Sequence, residues 1–324
     1  MVSGATGWVG RSALHALQRR MTPDEFMQRV RAFASRSSTL PTTAYPDQLQ
    51  LKIPVYPLSD LPDLAMSGRI SAFFHAAFLT RDRLGSMEKE RYVAINRGIT
   101  AQVLRALELA PAARVVVVSS GAAAVHASCS DPERSLLDDP YGVLKLEEER
   151  LLARNRSALV LRIYALSGRF IRDPARFALG DFLLKAQQRL PIRINSPAPV
   201  WRSYGNAGDI TALAWAWLLS AEPPALGQLD AVTHHVSLEQ LAESVCRIYR
   251  LPPVISRLDT TAPAQSYGAD TEPFLAALTR FDQNPHSLEE QIIDTGVGLG
   301  LAAPPWPENG RPTPLSCSPL RIDL

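Results

Sequence analysis

Gly4-Ala5-Thr6-Gly7-Trp8-Val9-Gly10 is the stretch whose reading decides the fold. It is a Gly-x-x-Gly-x-x-Gly loop running into Arg11 to Arg20, where Ala13, Leu14 and Leu17 recur with helical spacing. The order predicted is strand, turn and helix, with only Met1 to Ser3 left for the strand, so that either it is unusually short or its natural start lies upstream. Glycines let the backbone turn tightly and approach a pyrophosphate, whose charge is then held by exposed amides and the positive end of the helix dipole. Gly4, Thr6, Gly7, Trp8, Val9 and Gly10 are therefore candidates for a dinucleotide site. A glycine-rich turn without a ligand is the alternative.

Strand-like and helix-like segments alternate beyond this loop. After a connection through Met21-Thr22-Pro23 that is longer than usual, Arg29 to Ala34 alternates like a strand and ends at Ser35-Arg36-Ser37-Ser38. An acid at this strand end would bind adenosine ribose hydroxyls, whereas Arg and Ser accept a 2′-phosphate. Arg36 thus tilts the expected cofactor to NADP, with NAD as the alternative. Leu49 to Tyr56 reads as a third strand with Asp60 at its exit, and Ile70 to Phe74 as a fourth ending in His75-Ala76-Ala77. The small residues there let a cofactor lie close, and a single His without partners at metal-ligand spacing reads as structural. Tyr92, Ile95, Ile99, Val103 and Ala106 mark one face of a helix that carries Asn96. Val115 to Val118 is an unbroken β-branched run, as expected of a central parallel strand buried on both faces, and it ends at Ser119-Ser120. The alternation predicts an α/β doubly wound parallel sheet over residues 1–165, with ligands at the carboxyl ends of its strands.

Tyr141-Gly142-Val143-Leu144-Lys145 heads a helical run from Leu144 to Asn155. Residues four apart share a helix face, so the Lys145 ammonium is expected one turn beyond the Tyr141 phenol on the same side. A held cation lowers a tyrosine pKa from about 10 towards neutrality, which lets the phenol act as a general acid or base. The bland reading of the same spacing is a buried ring and a solvated amine.

Composition removes several classes of function. The 324 residues include 34 basic and 32 acidic ones, a net charge of +2 with no basic block, so neither nucleic acid nor an anionic membrane is an expected partner. Cys129, Cys246 and Cys317 are odd in number and far apart, which fits a reduced cytoplasmic protein without disulfides or structural zinc. The opening Met1-Val2-Ser3-Gly4 lacks the basic and apolar regions of a secretory signal. Ile210 to Ala221 is about half of the roughly 20 residues that a membrane span needs, and reads as a buried helix.

Taken together, the glycine loop, His75-Ala76-Ala77, Asn96-Arg97-Gly98-Ile99-Thr100, Ser119-Ser120 and Pro140-Tyr141-Gly142-Val143-Leu144-Lys145 resemble the extended short-chain dehydrogenase/reductase superfamily. The similarity is to its NAD(P)-dependent epimerase/dehydratase branch, which acts largely on nucleotide sugars. Leu161 to Gly168, Trp201-Arg202-Ser203-Tyr204 through Asp209, Val236 to Leu241 and Ser287 to Glu290 continue it, so that it spans Val2 to about Leu301. The last two also carry Ser-x-x-Gln and Ser-x-x-Glu capping signals.

The resemblance implies a Rossmann domain over 1–165 with 205–232 returning to it, and a smaller C-terminal α/β substrate lobe over 166–204 and 233–302. Residues 303–324 read as an irregular, proline-rich tail. It implies that Tyr141 exchanges a proton with a substrate oxygen, that Lys145 holds the cofactor ribose and depresses the Tyr141 pKa, and that Ser120 hydrogen-bonds the reacting oxygen. His75, Ala76, Ala77, Asn96, Ser119, Tyr141 and Lys145 join the glycine loop, Arg36 and Asp60 as expected cofactor neighbours. Ser120 and Arg202 are expected on the substrate, Arg202 at its diphosphate, while Arg162 reads as half of a buried ion pair. Family members often carry the working hydroxyl one position after Ser120, where this chain has Gly121, so Ser119 or no serine at all is the alternative to Ser120. Gly121-Ala122 also lacks the acidic pair of sugar dehydratases, which disfavours dehydration and leaves 4-epimerisation or reduction of a 4-keto sugar. Arg36 leans to reduction. Cys129 and His126 invite a comparison with Cys/His epimerase-reductases and are read as unremarkable. A homodimer is expected, since two helices of this superfamily commonly pair between subunits. The competing readings are a catalytically weak or inactive NADP(H)-binding sensor or assembly subunit, and a reductase of a non-sugar carbonyl.

Overall fold

The computed structural model describes residues 1–42, 51–67, 70–127, 132–154, 156–256 and 262–302. Cys129, Cys317 and the expected tail 303–324 lie outside them. The chain divides into two compact units, Met1–Ile163 with Thr211–Asp230, and Tyr164–Ile210 with the residues from Ala231 onward. The segment that belongs with the first unit is therefore 211–230, shorter than the 205–232 expected from sequence.

The first unit runs β1 (Val2–Ser3), α1 (Trp8–Gln18), α2 (Pro23–Arg29), β2 (Ala32–Ala34), β3 (Ser38–Pro41), β4 (Lys52–Pro57), α3 (Leu61–Ser67), β5 (Ala72–His75), α4 (Lys89–Leu109), β6 (Arg114–Ser120), α5 (Ala122–Val125), α6 (Pro132–Asp138), α7 (Pro140–Ala153) and β7 (Ala158–Ile163). The chain continues through β8 (Ala165–Ser167), α8 (Ala178–Gln187), β9 (Arg193–Ile194), β10 (Val200–Asn206), α9 (Ala207–Leu219) and β11 (Gln228–Asp230). It ends in β12 (His234–Ser237), α10 (Leu238–Tyr249), β13 (Ile255–Ser256), β14 (Gln265–Tyr267), α11 (Glu272–Arg280) and α12 (Leu288–Gly298).

An eight-stranded sheet in the order β11-β7-β6-β5-β1-β2-β4-β3 forms the first unit, parallel except for β3 against β4. The strand order reverses between β1 and β5, and that reversal opens the crevice in which doubly wound folds bind ligands. Two segments leave the sheet there, the glycine loop after Ser3 and Ala76-Ala77 after His75. Strand β6 explains the Val115–Val118 run, since parallel neighbours on both sides leave Val115, Val116 and Val117 with no exposed surface. Phe33, Phe73, Val103, Val115, Val117 and Leu152 pack together in the core of this unit. Helix α9 closes on it through Trp215, which stacks on Phe74 with 5.7 Å between ring centroids and donates its indole N–H to Ala13 O at 2.9 Å.

Two elements differ from the sequence expectation. The long connection after α1 contains helix α2, started by a capping box in which Thr22 and Glu25 bond each other's backbone amides, with Pro23 in the first turn. Its last residue is Arg29, so the strand expected from Arg29 shortens to Ala32–Ala34. Strand β3, mostly exposed and polar, carries too little apolar alternation to be read as a strand and is fixed by antiparallel pairing of Ser38–Pro41 with Lys52–Val55. The third strand is Lys52–Pro57, and Leu49 lies outside the described residues.

In the second unit β10 pairs antiparallel with β12 and parallel with β8 and β14. Helices α8, α10 and α12 pack a core of Phe182, Leu183, Tyr204, Leu241, Val245 and Ile292. Both expected caps are made, Ser237 with Gln240 and Ser287 with Glu290.

Candidate active site

The glycine loop is shaped by backbone proximity. Gly4 has φ of +73°, and a Cβ there would lie 2.4 Å from Ala76 O. A Cβ on Gly10 would lie 2.1 Å from Gly4 O, so helix α1 can leave the loop this steeply only from a glycine. Helix α1 spans 11 residues, and Gly7 at its N-cap offers no side-chain hydrogen bond to its first amides. A closely approached backbone and a helix start without a side-chain cap fit the pyrophosphate of a dinucleotide. Exposed Arg36 follows β2 in a stretch without acid, and half-buried Asp60 follows β4 on the same carboxyl edge of the sheet.

Helix α7 begins at Pro140 with Asp139 as N-cap, whose carboxylate accepts from Gly142 N at 3.3 Å. Gly142 is required because a Cβ would meet Asp139 Oδ2 at 2.7 Å and Ala122 O at 2.8 Å, so the helix start fits against α5 only without a side chain. The half-buried Tyr141 ring has the edge of Phe78 against it at 5.8 Å and the Arg81 guanidinium 5.3 Å from its centroid. Arg81 is held there by Asp139, with 3.0 Å to each carboxylate oxygen. The Tyr141 phenol hydrogen-bonds Ser120, whose Oγ also accepts from Ala122 N at 3.2 Å.

Lys145 is buried, 4 % exposed. Its ammonium donates to Val118 O at 2.9 Å and to Glu148 Oε2 at 2.8 Å, and lies 3.9 Å from the Phe78 ring centroid. Glu148 has no exposed surface, and its other oxygen bonds His75 Nε2 at 2.9 Å and accepts from Thr100 at 3.4 Å. His75 Nδ1 bonds Ser3 Oγ at 2.6 Å, which extends the chain of contacts to the residue just before the glycine loop. Burial works against the Glu148 charge, but Lys145 and His75, through charge and hydrogen bonds, hold its carboxyl below the ordinary range.

Comparison with known proteins converges on one family. Residues 1–226 match the NAD dependent epimerase/dehydratase family. The chain belongs to that family. Among solved structures it is similar to UDP-glucose 4-epimerase from Thermotoga maritima, at 17% identity and TM-score 0.66 over 92% of this chain and 97% of that one. UDP-glucuronic acid 4-epimerase from Bacillus cereus is similar at 19% identity and TM-score 0.66, over 92% and 98%. UDP-N-acetylglucosamine 4-epimerase from Methanobrevibacter ruminantium is similar at 16% and TM-score 0.68, over 92% and 96%. A comparison with curated proteins gave no match. At these identities the neighbours establish the shared fold, and the family match makes the chain an NAD-dependent enzyme of the epimerase/dehydratase group.

In this family member the expected depression of the Tyr141 phenol by Lys145 is not found. Burial pushes its pKa up, Ser120 and Arg81 oppose the rise, and Glu148 and Asp139 add to it. Burial of the phenol is the main reason, and Glu148, which stands three residues from Lys145 on the same helix and pairs with its ammonium, adds to the rise. Sequence reasoning passed over Glu148, although a carboxylate at that spacing from a lysine is a readable signal. It also passed over Arg81 and Asp139, which are brought to Tyr141 only by the fold.

The remaining expected residues divide by depth. His75 and Asn96 are almost fully buried, and their side chains are engaged inward. Asn96 accepts from Leu79 N at 2.8 Å and donates to Leu79 O, so it fixes the segment after β5 rather than offering a side chain to a ligand. Ser119 is 4 % exposed, and its Oγ has no hydrogen-bond partner among the described residues; Ser120 is the serine at Tyr141. Arg162 forms the expected buried pair, with two bonds of 2.8 and 2.7 Å to Glu149. In the second unit, half-buried Arg202 lies on β10 opposite Val236 and donates to Trp201 O at 2.8 Å. His126 bonds Asp139 at 3.0 Å, and Cys246 is a buried thiol whose pKa is pushed up by burial. No group of side chains suited to a metal ion occurs among the described residues, and none of their helices is long and apolar enough to cross a membrane.

Proposed function

We propose that this enzyme acts at carbon 4 of a nucleotide-linked hexose, reducing a keto group as a 4-ketoreductase or inverting a hydroxyl as a 4-epimerase, with Tyr141 as its acid/base. The observation that carries this reading is the meeting of Tyr141, Ser120 and Lys145 on the sheet edge that also bears the glycine loop. The nicotinamide cofactor, when bound, donates or accepts the hydride. Gly4, Thr6, Gly7, Trp8, Val9 and Gly10 would form the cradle for its pyrophosphate, with the amides at the start of α1 as donors while the Gly7 amide closes the loop on Gly4 O. Asp60, Ala76 and Ala77 would border the cofactor, and Arg36 would favour the 2′-phosphate of NADP. Lys145 has a third N–H beyond its two acceptors among the described residues, and offers it to the ribose.

Ser120 orients the reacting oxygen, and Tyr141 gives or takes its proton at the phenol oxygen. A phenol kept protonated by burial is a donor first, which favours reduction of a keto group in agreement with Arg36. Arg202 takes the substrate diphosphate, and the nucleotide sugars named for the structural neighbours indicate a uridine diphosphate sugar. The chain is read as a homodimer, an expectation that rests on the family resemblance.

Tyr141→Phe is expected to lower kcat by about 10²- to 10⁴-fold on the accepted sugar nucleotide while dinucleotide binding, measured by calorimetry, is unchanged. Equal turnover in the variant would exclude Tyr141 as the acid/base. The offset charge of Lys145 favours a second reading, a dinucleotide-binding subunit of little activity. That reading requires wild-type protein to bind NADP(H) and turn over no sugar nucleotide in either direction.

A further inference from the structure

We propose that Glu148 is a positioning residue for the acid/base site, one that fixes the Lys145 ammonium and offsets its charge. This deepens the reading of Tyr141 given above and rests on it. The argument starts from burial. Lys145 and Glu148 are 4 % and 0 % exposed, and such a pair persists only when each charge is matched and the remaining donors and acceptors are bonded. Here each is matched on two sides. Val118 O takes one Lys145 N–H, Glu148 Oε2 takes another, and the Phe78 ring closes over the ammonium. Glu148 Oε1 is fixed by His75 and Thr100, and His75 by Ser3. Strands β1 and β5 and helix α4 thus hold a carboxylate that sits on α7 about two turns beyond Tyr141, and β6 holds its Lys145 partner.

The consequence is electrostatic. A lone ammonium beside a phenol pulls its pKa down, whereas an ammonium bonded to a carboxylate presents a pair of nearly zero net charge. The other groups facing Tyr141 are Arg81, with its guanidinium over the ring, Asp139, which holds Arg81 and is itself bonded to His126, Ser120 at the phenol oxygen, and Tyr92 from α4. Arg81 and Asp139 form a second mutually offsetting pair. The phenol therefore has two ion pairs for neighbours and no unopposed cation among the described residues.

The test titrates Tyr141 directly, by NMR of protein carrying tyrosine labelled with carbon-13 at Cζ, with Tyr141→Phe used to assign the signal. Glu148→Gln keeps the shape and removes the charge, and is expected to lower the Tyr141 midpoint by about one pH unit or more. Glu148→Asp keeps the charge and is expected to restore the midpoint towards wild type. Because Glu148→Gln strands a buried ammonium and can fail to fold, the double variant Lys145→Met with Glu148→Gln, which leaves no buried charge of the pair, supplies the second arm. Its midpoint is expected within about half a pH unit of wild type, because a neutral pair has been removed. An unmoved midpoint in Glu148→Gln, or a rise of about one unit in the double variant, overturns the proposal. The readout does not depend on turnover. Shifts as expected in a protein inactive on every sugar nucleotide would sink the proposed function and leave this inference standing, and an active enzyme without the shifts would do the reverse.

Discussion

At the residue scale, the glycine loop and the Tyr141 neighbourhood differ in how they are built and in how readable they are. Gly4 and Gly10 are dictated by backbone contacts of 2.4 and 2.1 Å to any added Cβ, and spacing alone marked them. Gly10→Ala is expected to destabilise the protein by about 1–3 kcal/mol, as overpacking does, and to weaken dinucleotide binding beyond detection by calorimetry. A stable variant with unchanged affinity would show that α1 starts elsewhere. The Tyr141–Lys145 spacing was equally legible, and so was the serine pair. The direction of the Tyr141 shift was not, because it comes first from burial of the phenol in the fold and then from Glu148, which is held in the core by His75 across 73 positions of sequence.

At the element scale, α7 is where the site is held to the sheet. Arg162 on β7 and Glu149 on α7 form a buried bidentate pair, 8% and 6% exposed at their side chains. Removing one partner strands the other charge, so Arg162→Leu is expected to cost about 3–5 kcal/mol in chemical denaturation, whereas replacing both with apolar residues of similar volume costs much less. Equal losses in the single and double variants would make the pair a packing feature only. Elements with strong period or caps, such as β6, α10 and α12, were read from sequence. Helix α2 carried its own signal in Thr22-Pro23-Asp24-Glu25, which was taken for a connection. Strand β3 had no such signal, since an exposed polar edge strand is defined by its partner β4 rather than by its own residues.

At the scale of the whole molecule, stability should respond to pH through His286. Burial disfavours its charge, but the hydrogen bond and charge of Asp209, with Asp294 and Glu290, push its pKa up to about 9. Its Nδ1 lies 2.5 Å from Asp209 Oδ1, and Asp209 also accepts from the His286 backbone amide at 3.0 Å. A folded pKa above the ordinary value of 6.5 means that the added stability is complete below about pH 6.5 and is lost as pH rises towards 9. Thermal unfolding should fall across that window in wild type and stay flatter in His286→Asn; parallel curves would remove His286 from the account. The central claim is hydride and proton transfer at carbon 4 with Tyr141 as the acid/base. Its most direct test is proton NMR of a 4-keto or 4-hydroxy UDP-hexose incubated with the protein and NADPH, NADP or NAD, run beside Tyr141→Phe. Wild type is predicted to change the configuration or oxidation state at carbon 4, with the variant slower by at least about 10²-fold. Equal rates in the two proteins, or no change at carbon 4 with any sugar nucleotide by a protein that binds the dinucleotide, would contradict it.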